Sequence, residues 1–192
     1  MIQAITKPKK LTFKEYLSYD DETDNRYELV DGELVALPPE SGVNTAIAIY
    51  LVLVFAKLTD FRLIKVNSCE LQMTGKVENR YPDLAIIRPE HIDLIQKRST
   101  ITLDMPPPQL VVEVVSPGKL NRQRDYVDKR QQYAARGIPE YWIVDPQAAV
   151  VIVLKLESGH YVEVGQFQHQ DCIVSPTFPA LELTAEQVLP TG

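Results

Sequence analysis

QLVVEVVSPGKLNRQRDYVDKRQQYAARGIPEYWIV, residues 109 to 144, is the stretch that decides the fold. Residues 109–115 are a valine-rich run stopped by Ser116-Pro117-Gly118, the pattern of a buried strand with a hard end. A helix follows from about Arg122 to Arg136, and Gly137 suits the left-handed position just past a helix terminus. Residues 140–144 return to a strand. Strand, helix and strand at this spacing make a βαβ unit, whose strands pair in parallel. Inside the first strand, Glu113 sits between Val111-Val112 and Val114-Val115, which leave no polar face to receive it. A carboxylate so placed loses its solvation and neutralises unless a cation or a dense set of hydrogen bonds holds it.

Outward from this unit, the remaining elements follow local rules. Thr12 and Glu15 have capping-box spacing and open a short helix through about Leu17. In RYELVDGELVAL, residues 26–37, Asp31-Gly32 is a two-residue hairpin turn, with Glu28 on the first strand and Glu33 on the second. After Pro38-Pro39 a helix is expected over residues 42–58, apolar nearly all round and therefore buried. Residues 62–66 and 70–73 read as short strands, and PDLAIIR, residues 82–88, as the next. Residues 91–108 form a long polar connection ending in three prolines, expected to be mobile or to face a substrate. A late hairpin is expected over 150–156 and 161–167, and a last helical turn over 184–189. The fold class is α/β with a mixed central sheet. We expect one domain over residues 1–192, with a core of about 11–145 and a hairpin extension of about 146–192.

Composition narrows the function. Hydrophobic content of 45% and charged content of 24% are ordinary for a globular protein. The start, MIQAITKPKKLTF, has lysines without a following apolar stretch, so no secretory signal is expected. The longest apolar run, residues 46–56, falls short of the roughly 20 residues a membrane span needs. Cys69 and Cys172 are far apart and belong to no Cys/His cluster, which points to a reducing, cytoplasmic location without structural zinc or a disulfide framework. His91, His160 and His169 have no partner at ligand spacing, Ser116 lacks a nucleophile elbow, and no glycine-rich phosphate loop occurs. A net charge of −6 excludes a protein that coats nucleic acid. Residues 119–136 nonetheless carry six basic against two acidic side chains, +4, so the rest of the chain carries −10. That element either binds phosphate locally or is a solvated basic face.

About thirty residues before Glu113, Pro82-Asp83 heads a second apolar run. Asp83 alone could cap a strand-leading turn, and Glu113 alone could be a structural acid paired with arginine. Two such carboxylates at neighbouring strand ends, followed by a helix bearing Lys129, can instead form a divalent-metal site for phosphodiester hydrolysis. The backbone carbonyl of Val114 is a further oxygen ligand for a hard cation. Lys129 follows Asp125 at i+4, which by itself is an ion pair of about 0.3–0.5 kcal/mol. On a helical wheel Asp125, Lys129, Gln132, Tyr133 and Arg136 share one face, so Tyr133 and Arg136 are expected to line the same groove. Lys129 at an ordinary pKa is a poor base and suits stabilising developing phosphate charge. Glu28 is either a third carboxylate near the metal or a solvent-facing strand residue.

RYELVDGEL, PDLAII, LVVEVVSP, the DxxxK helix and GIPEYWIVDP, in this order, closely resemble the putative restriction endonuclease family expanded in cyanobacteria, within the PD-(D/E)XK nuclease superfamily. The likeness runs from about Leu11 to Asp145. It implies a restriction-endonuclease-like fold, a mixed core of four to five strands flanked by helices. By the resemblance Asp83 matches the motif aspartate, Glu113 the motif acid and Glu28 the N-terminal acid. Valine at position 115 replaces the usual lysine, which the family moves to the following helix, here Lys129. Asn44 stands near where relatives often place histidine. A Mg²⁺ cofactor, with Mn²⁺ as substitute, a DNA substrate and a homodimer are implied. The expected activity is Mg²⁺-dependent DNA endonuclease. A non-catalytic binding or assembly module keeping the nuclease fold is the alternative, and a two-carboxylate glycosidase without an essential lysine is the third reading.

Overall fold

The computed structural model describes residues 10–23 and 25–189; the expectation for the first nine residues lies outside them. One helical turn, α1 (Phe13–Tyr16), precedes the hairpin β1 (Tyr27–Val30) and β2 (Glu33–Ala36). Helix α2 (Gly42–Phe55) leads through a 3-10 turn (Phe61–Leu63) to β3 (Ile64–Val66), β4 (Glu70–Gln72), β5 (Asn79–Arg80) and β6 (Leu84–Ile86). A turn, α3 (His91–Leu94), and β7 (Thr100–Ile101) precede β8 (Leu110–Val114). Helix α4 (Lys119–Gln123), a π turn (Arg124–Asp128) and α5 (Lys129–Arg136) run on into β9 (Glu140–Asp145). The chain closes with β10 (Val150–Glu157), β11 (His160–Phe167) and α6 (Ala185–Val188).

The βαβ reading holds: β8 and β9 pair in parallel, Val112 opposite Trp142. They lie inside a mixed six-stranded sheet ordered β11-β10-β9-β8-β6-β3, whose other pairs are antiparallel. The hairpin β10–β11 continues this sheet past β9, which gives six strands where the resemblance implies four to five. Period-2 alternation divides the core. Trp142 packs at a tilt on Phe55 of α2 at 5.6 Å between ring centroids, while its neighbour Tyr141 meets Tyr133 of α5 edge-on at 5.1 Å. A three-stranded sheet, β5-β4-β7, and the hairpin β1–β2 sit beside the main sheet, linked through a bridge between Val30 and Val77.

The local signals are present. The Thr12–Glu15 capping box forms. Asp31 and Gly32 have φ of 51° and 80°, the positive values that a type I′ turn requires. Gly137 closes α5 in the left-handed conformation at φ 81°.

Three expectations are corrected. Helix α2 is buried on one face only, through Asn44, Ile47, Ala48, Leu51 and Phe55; Val43, Ile49 and Leu53 are exposed, because the sheet covers a single side. Residues 91–108 are a packed connection rather than a substrate-facing loop. His91 is fully buried, its Nε2 2.9 Å from the carbonyl of Pro106, and β7 adds to β4. The helix expected from Arg122 begins at Lys119 and contains the π turn, one residue wider than an α turn.

Candidate active site

Strand register builds the centre of the site. Leu84 pairs with Val112 across the antiparallel β6–β8 pair, so Asp83, one residue earlier, falls opposite Glu113, one residue later, on the same face of the sheet. Asp83 Oδ2 accepts a 2.6 Å hydrogen bond from the Val114 amide, which locks its carboxyl to β8. Glu113 meets the following helix: Oε2 pairs with Lys129 Nζ at 2.7 Å, and Oε1 accepts from the Tyr133 hydroxyl. Lys129 Nζ also reaches Asp125 Oδ1 at 3.1 Å, and Arg124 Nε donates to that same oxygen at 3.0 Å. The π turn carries Asp125, and Lys129 follows it directly, so that Lys129 bridges Asp125 and Glu113.

These groups lie at the floor and wall of a cleft of about 270 Å³, lined also by Arg26, Glu28, Tyr81, Ser116, Asn121 and the Pro38–Ser41 segment. Asp83, Glu113 and Lys129 are 6%, 2% and 7% exposed. Burial, then the neighbouring Glu113 charge, pushes the Asp83 carboxyl up to about 8, against the pull of Lys129. Burial likewise raises Glu113. Burial also pulls the Lys129 ammonium down, but Glu113 and Asp125 together outweigh it, and Lys129 remains a firmly charged cation. Three carboxylates, Asp83, Glu113 and Asp125, thus face two cations, Lys129 and Arg124. Among the described residues no Lys, Arg or His lies within ion-pair distance of Asp83.

The sequence-derived site residues separate into two groups. Asp83, Glu113, Lys129 and the Val114 backbone come together, and Glu28 lines the same cleft, with both carboxylate oxygens 3.0 Å from Arg80 Nη1. Tyr133 and Arg136 do not line the cleft, a correction to the shared-face reading. Tyr133 is fully buried beneath Glu113, and Arg136 turns away to the carbonyls of Thr102 and Met105, 2.8 Å each. Asp125 entered the sequence reading as half of an i,i+4 pair and as a member of the polar helical face, but not as a site residue. Arg80, which holds Glu28 and donates to Gln132, carries no local signal at all. Asn44 had one: it is polar in an otherwise apolar helix, and its Nδ2 donates to the Val114 carbonyl at 3.1 Å and to Ser116 Oγ at 3.0 Å.

The donor set fits a hard divalent cation. Among the described residues no three His, Cys, Asp or Glu side chains form a ready cage. Asp83, Glu113 and the second lone pair of the Val114 carbonyl nevertheless supply oxygen ligands of the kind Mg²⁺ takes when waters and substrate phosphate complete its shell. Asp83, which burial keeps protonated near neutral pH, would give up that proton and ionise beside such a cation.

Comparison with known proteins agrees with this fold. A solved structure described as a putative nuclease belonging to DUF820, from Anabaena variabilis ATCC 29413, superposes with a TM-score of 0.63 at 17% identity, over 93% of this chain and 97% of that one. At that identity the likeness concerns the fold. No curated protein matches the chain. The family model described as putative restriction endonuclease matches residues 13–186, nearly the whole described chain, and the protein belongs to that family, Uma2.

Proposed function

We propose that the protein is a cytoplasmic, Mg²⁺-dependent DNA endonuclease that hydrolyses phosphodiester bonds in this cleft, with Mn²⁺ able to substitute. One observation carries the reading: a nearly buried carboxylate, Asp83, stands beside a second, Glu113, with no side-chain cation of its own. Asp83, Glu113 and the Val114 carbonyl would hold the metal, which would supply Lewis acidity and a lowered water pKa. Lys129, fixed by Glu113 and Asp125, presents a permanent positive charge to the phosphate as negative charge develops on it. Tyr133 fixes the Glu113 carboxylate from beneath, and Asn44 holds the Val114 carbonyl in place. Glu28, restrained by Arg80, assists at the cleft wall by orienting water.

The acidic surface favours one rival, a non-catalytic assembly module, because the basic side chains of residues 119–136 are largely spent on internal partners. The test is a cleavage assay on single-stranded, duplex and branched DNA with Mg²⁺ or Mn²⁺, beside calorimetric titration of each metal. Asp83→Asn and Glu113→Gln are expected to keep the far-UV circular dichroism of the wild type and to lower cleavage by about a thousandfold or more. Cleavage by either variant at the wild-type rate would sink the assignment. Wild-type protein that neither binds metal nor cuts any of the substrates would select the assembly module.

A further inference from the structure

The cleft holds a group that the metal chemistry does not use. Tyr81 is the one aromatic among the described residues lining it, two positions before Asp83, and it is half-buried. Its hydroxyl end is anchored, 3.2 Å from the Tyr16 hydroxyl, which itself donates to the Tyr27 carbonyl at 3.0 Å. Burial, then the Glu70 charge, pushes the Tyr81 phenol up to about 12, so it stays protonated at neutral pH and is no base for the reaction. The Arg26 guanidinium lies 5.7 Å from the ring centroid, and its Nη1 donates to the Asn67 carbonyl, which fixes it there. Leu37, Pro38 and Pro39 line the same cleft, and the two exposed prolines have no backbone N–H to offer a phosphate. Glu40 follows them, also exposed, and its charge disfavours a phosphate backbone on that wall. An aromatic ring, a guanidinium and apolar side chains suit the flat face of a nucleobase better than they suit a phosphate.

We propose that Tyr81, backed by Arg26, stacks one unpaired base beside the scissile phosphate, so that the preferred substrate is DNA with a nucleotide out of the helix. This rests on the endonuclease reading of the cleft and narrows its substrate. In a continuous duplex each base is covered on both faces by its neighbours and presents neither to Tyr81. A bulged nucleotide has already lost that pairing, so drawing it into the cleft costs little. Stacking of this kind is tolerant of base identity, because every base has a flat face. The selection is therefore for an unpaired position and not for a sequence.

Fluorescence titration of the full chain carrying Glu113→Gln, which should bind without turnover, tests this. The probes are two DNA duplexes of one sequence, one fully paired and one with a single bulged 2-aminopurine. The bulged duplex should bind about tenfold or more tightly than the paired one, and its 2-aminopurine should lose fluorescence as it stacks. This comparison needs no substitution at Tyr81. Adding Tyr81→Ala should weaken binding of the bulged duplex by about tenfold to a hundredfold, abolish the quenching and leave the paired duplex unchanged. Tyr81→Phe, which keeps the ring without the hydroxyl, should restore both the affinity and the quenching. Equal affinity for the two duplexes, or a Tyr81→Ala loss of the same size on both, would overturn the proposal. So would a Tyr81→Phe that behaves as Tyr81→Ala, since the hydroxyl would then be the working group. The endonuclease reading fails separately, if the wild type cuts neither duplex with Mg²⁺ or Mn²⁺. Selection of the bulge through Tyr81 without any cleavage would uphold the base site and overturn the catalysis alone.

Discussion

At the scale of single residues, the site turns on how buried charge is shared. Lys129 is held by two carboxylates, and Glu28 by Arg80, but Asp83 has only the Val114 amide and the field of Lys129. Its carboxyl, pushed up to about 8, holds a proton in the folded state that the unfolded chain, near 3.9, has already released. The folded state therefore binds more protons between these values, and stability falls as pH rises through that window. Metal-free wild type should lose melting temperature relative to Asp83→Asn as pH is raised from about 5 to 8, with the gap constant above about 9. Saturating Mg²⁺ should narrow the gap, because a bound cation favours the ionised carboxylate. Thermal unfolding across the pH series decides the matter; parallel curves for the two proteins would show that Asp83 is not strained by its burial.

At the scale of elements, what the sequence made legible is what local chemistry enforces. The βαβ unit followed from a valine run, a helix closed by Gly137 and a second apolar run, and β8 and β9 do pair in parallel. Asp31-Gly32 was read as a turn because few other residues accept two positive φ values in succession. That turn is also packed: a Cβ on Gly32 would come within 2.9 Å of the Leu11 carbonyl oxygen and of Lys10 Cβ. Gly32→Ala should therefore cost about 1–2 kcal/mol, a fall of about 4 °C in melting temperature, measured by calorimetry. An unchanged melting point would mean that residues 10 and 11 do not rest on the turn. Harder to read were features set by distant partners. The π turn has no periodicity signature; it lies where Lys129 bridges Asp125 and Glu113. Arg80 finds Glu28 and Gln132 only after two sheets are assembled. Tyr133 and Arg136 share a helical face with Lys129, yet one packs beneath Glu113 and the other bonds residues 102 and 105. A wheel gives the direction of a side chain but not what the fold has put there.

At the scale of the whole molecule, the charge balance decides how DNA could be held. The chain carries −6, and most cations of its most basic segment have internal partners: Arg122 pairs with Asp145, Arg124 with Asp125, Lys129 with Glu113, and Arg130 donates to the Tyr161 carbonyl. That segment is therefore not an unpartnered strip for tracking a duplex, although the Arg122 and Arg124 side chains are 41% and 39% exposed. Arg26 and Arg124 are the two arginines that line the cleft, partly exposed, with Arg26 stacked over Tyr81 at 5.7 Å. With Lys129 they make three phosphate contacts per copy, so the logarithm of duplex affinity should fall against the logarithm of salt with a slope of about −3. Binding should then weaken about fortyfold between 50 and 200 mM salt. Fluorescence anisotropy of a labelled duplex with Glu113→Gln, which should bind without turnover, measures this directly. Arg124→Gln should reduce the slope by about one. A slope steeper than about −5 would place the phosphate contacts on a surface other than the cleft, and would separate the site of cleavage from the site of binding.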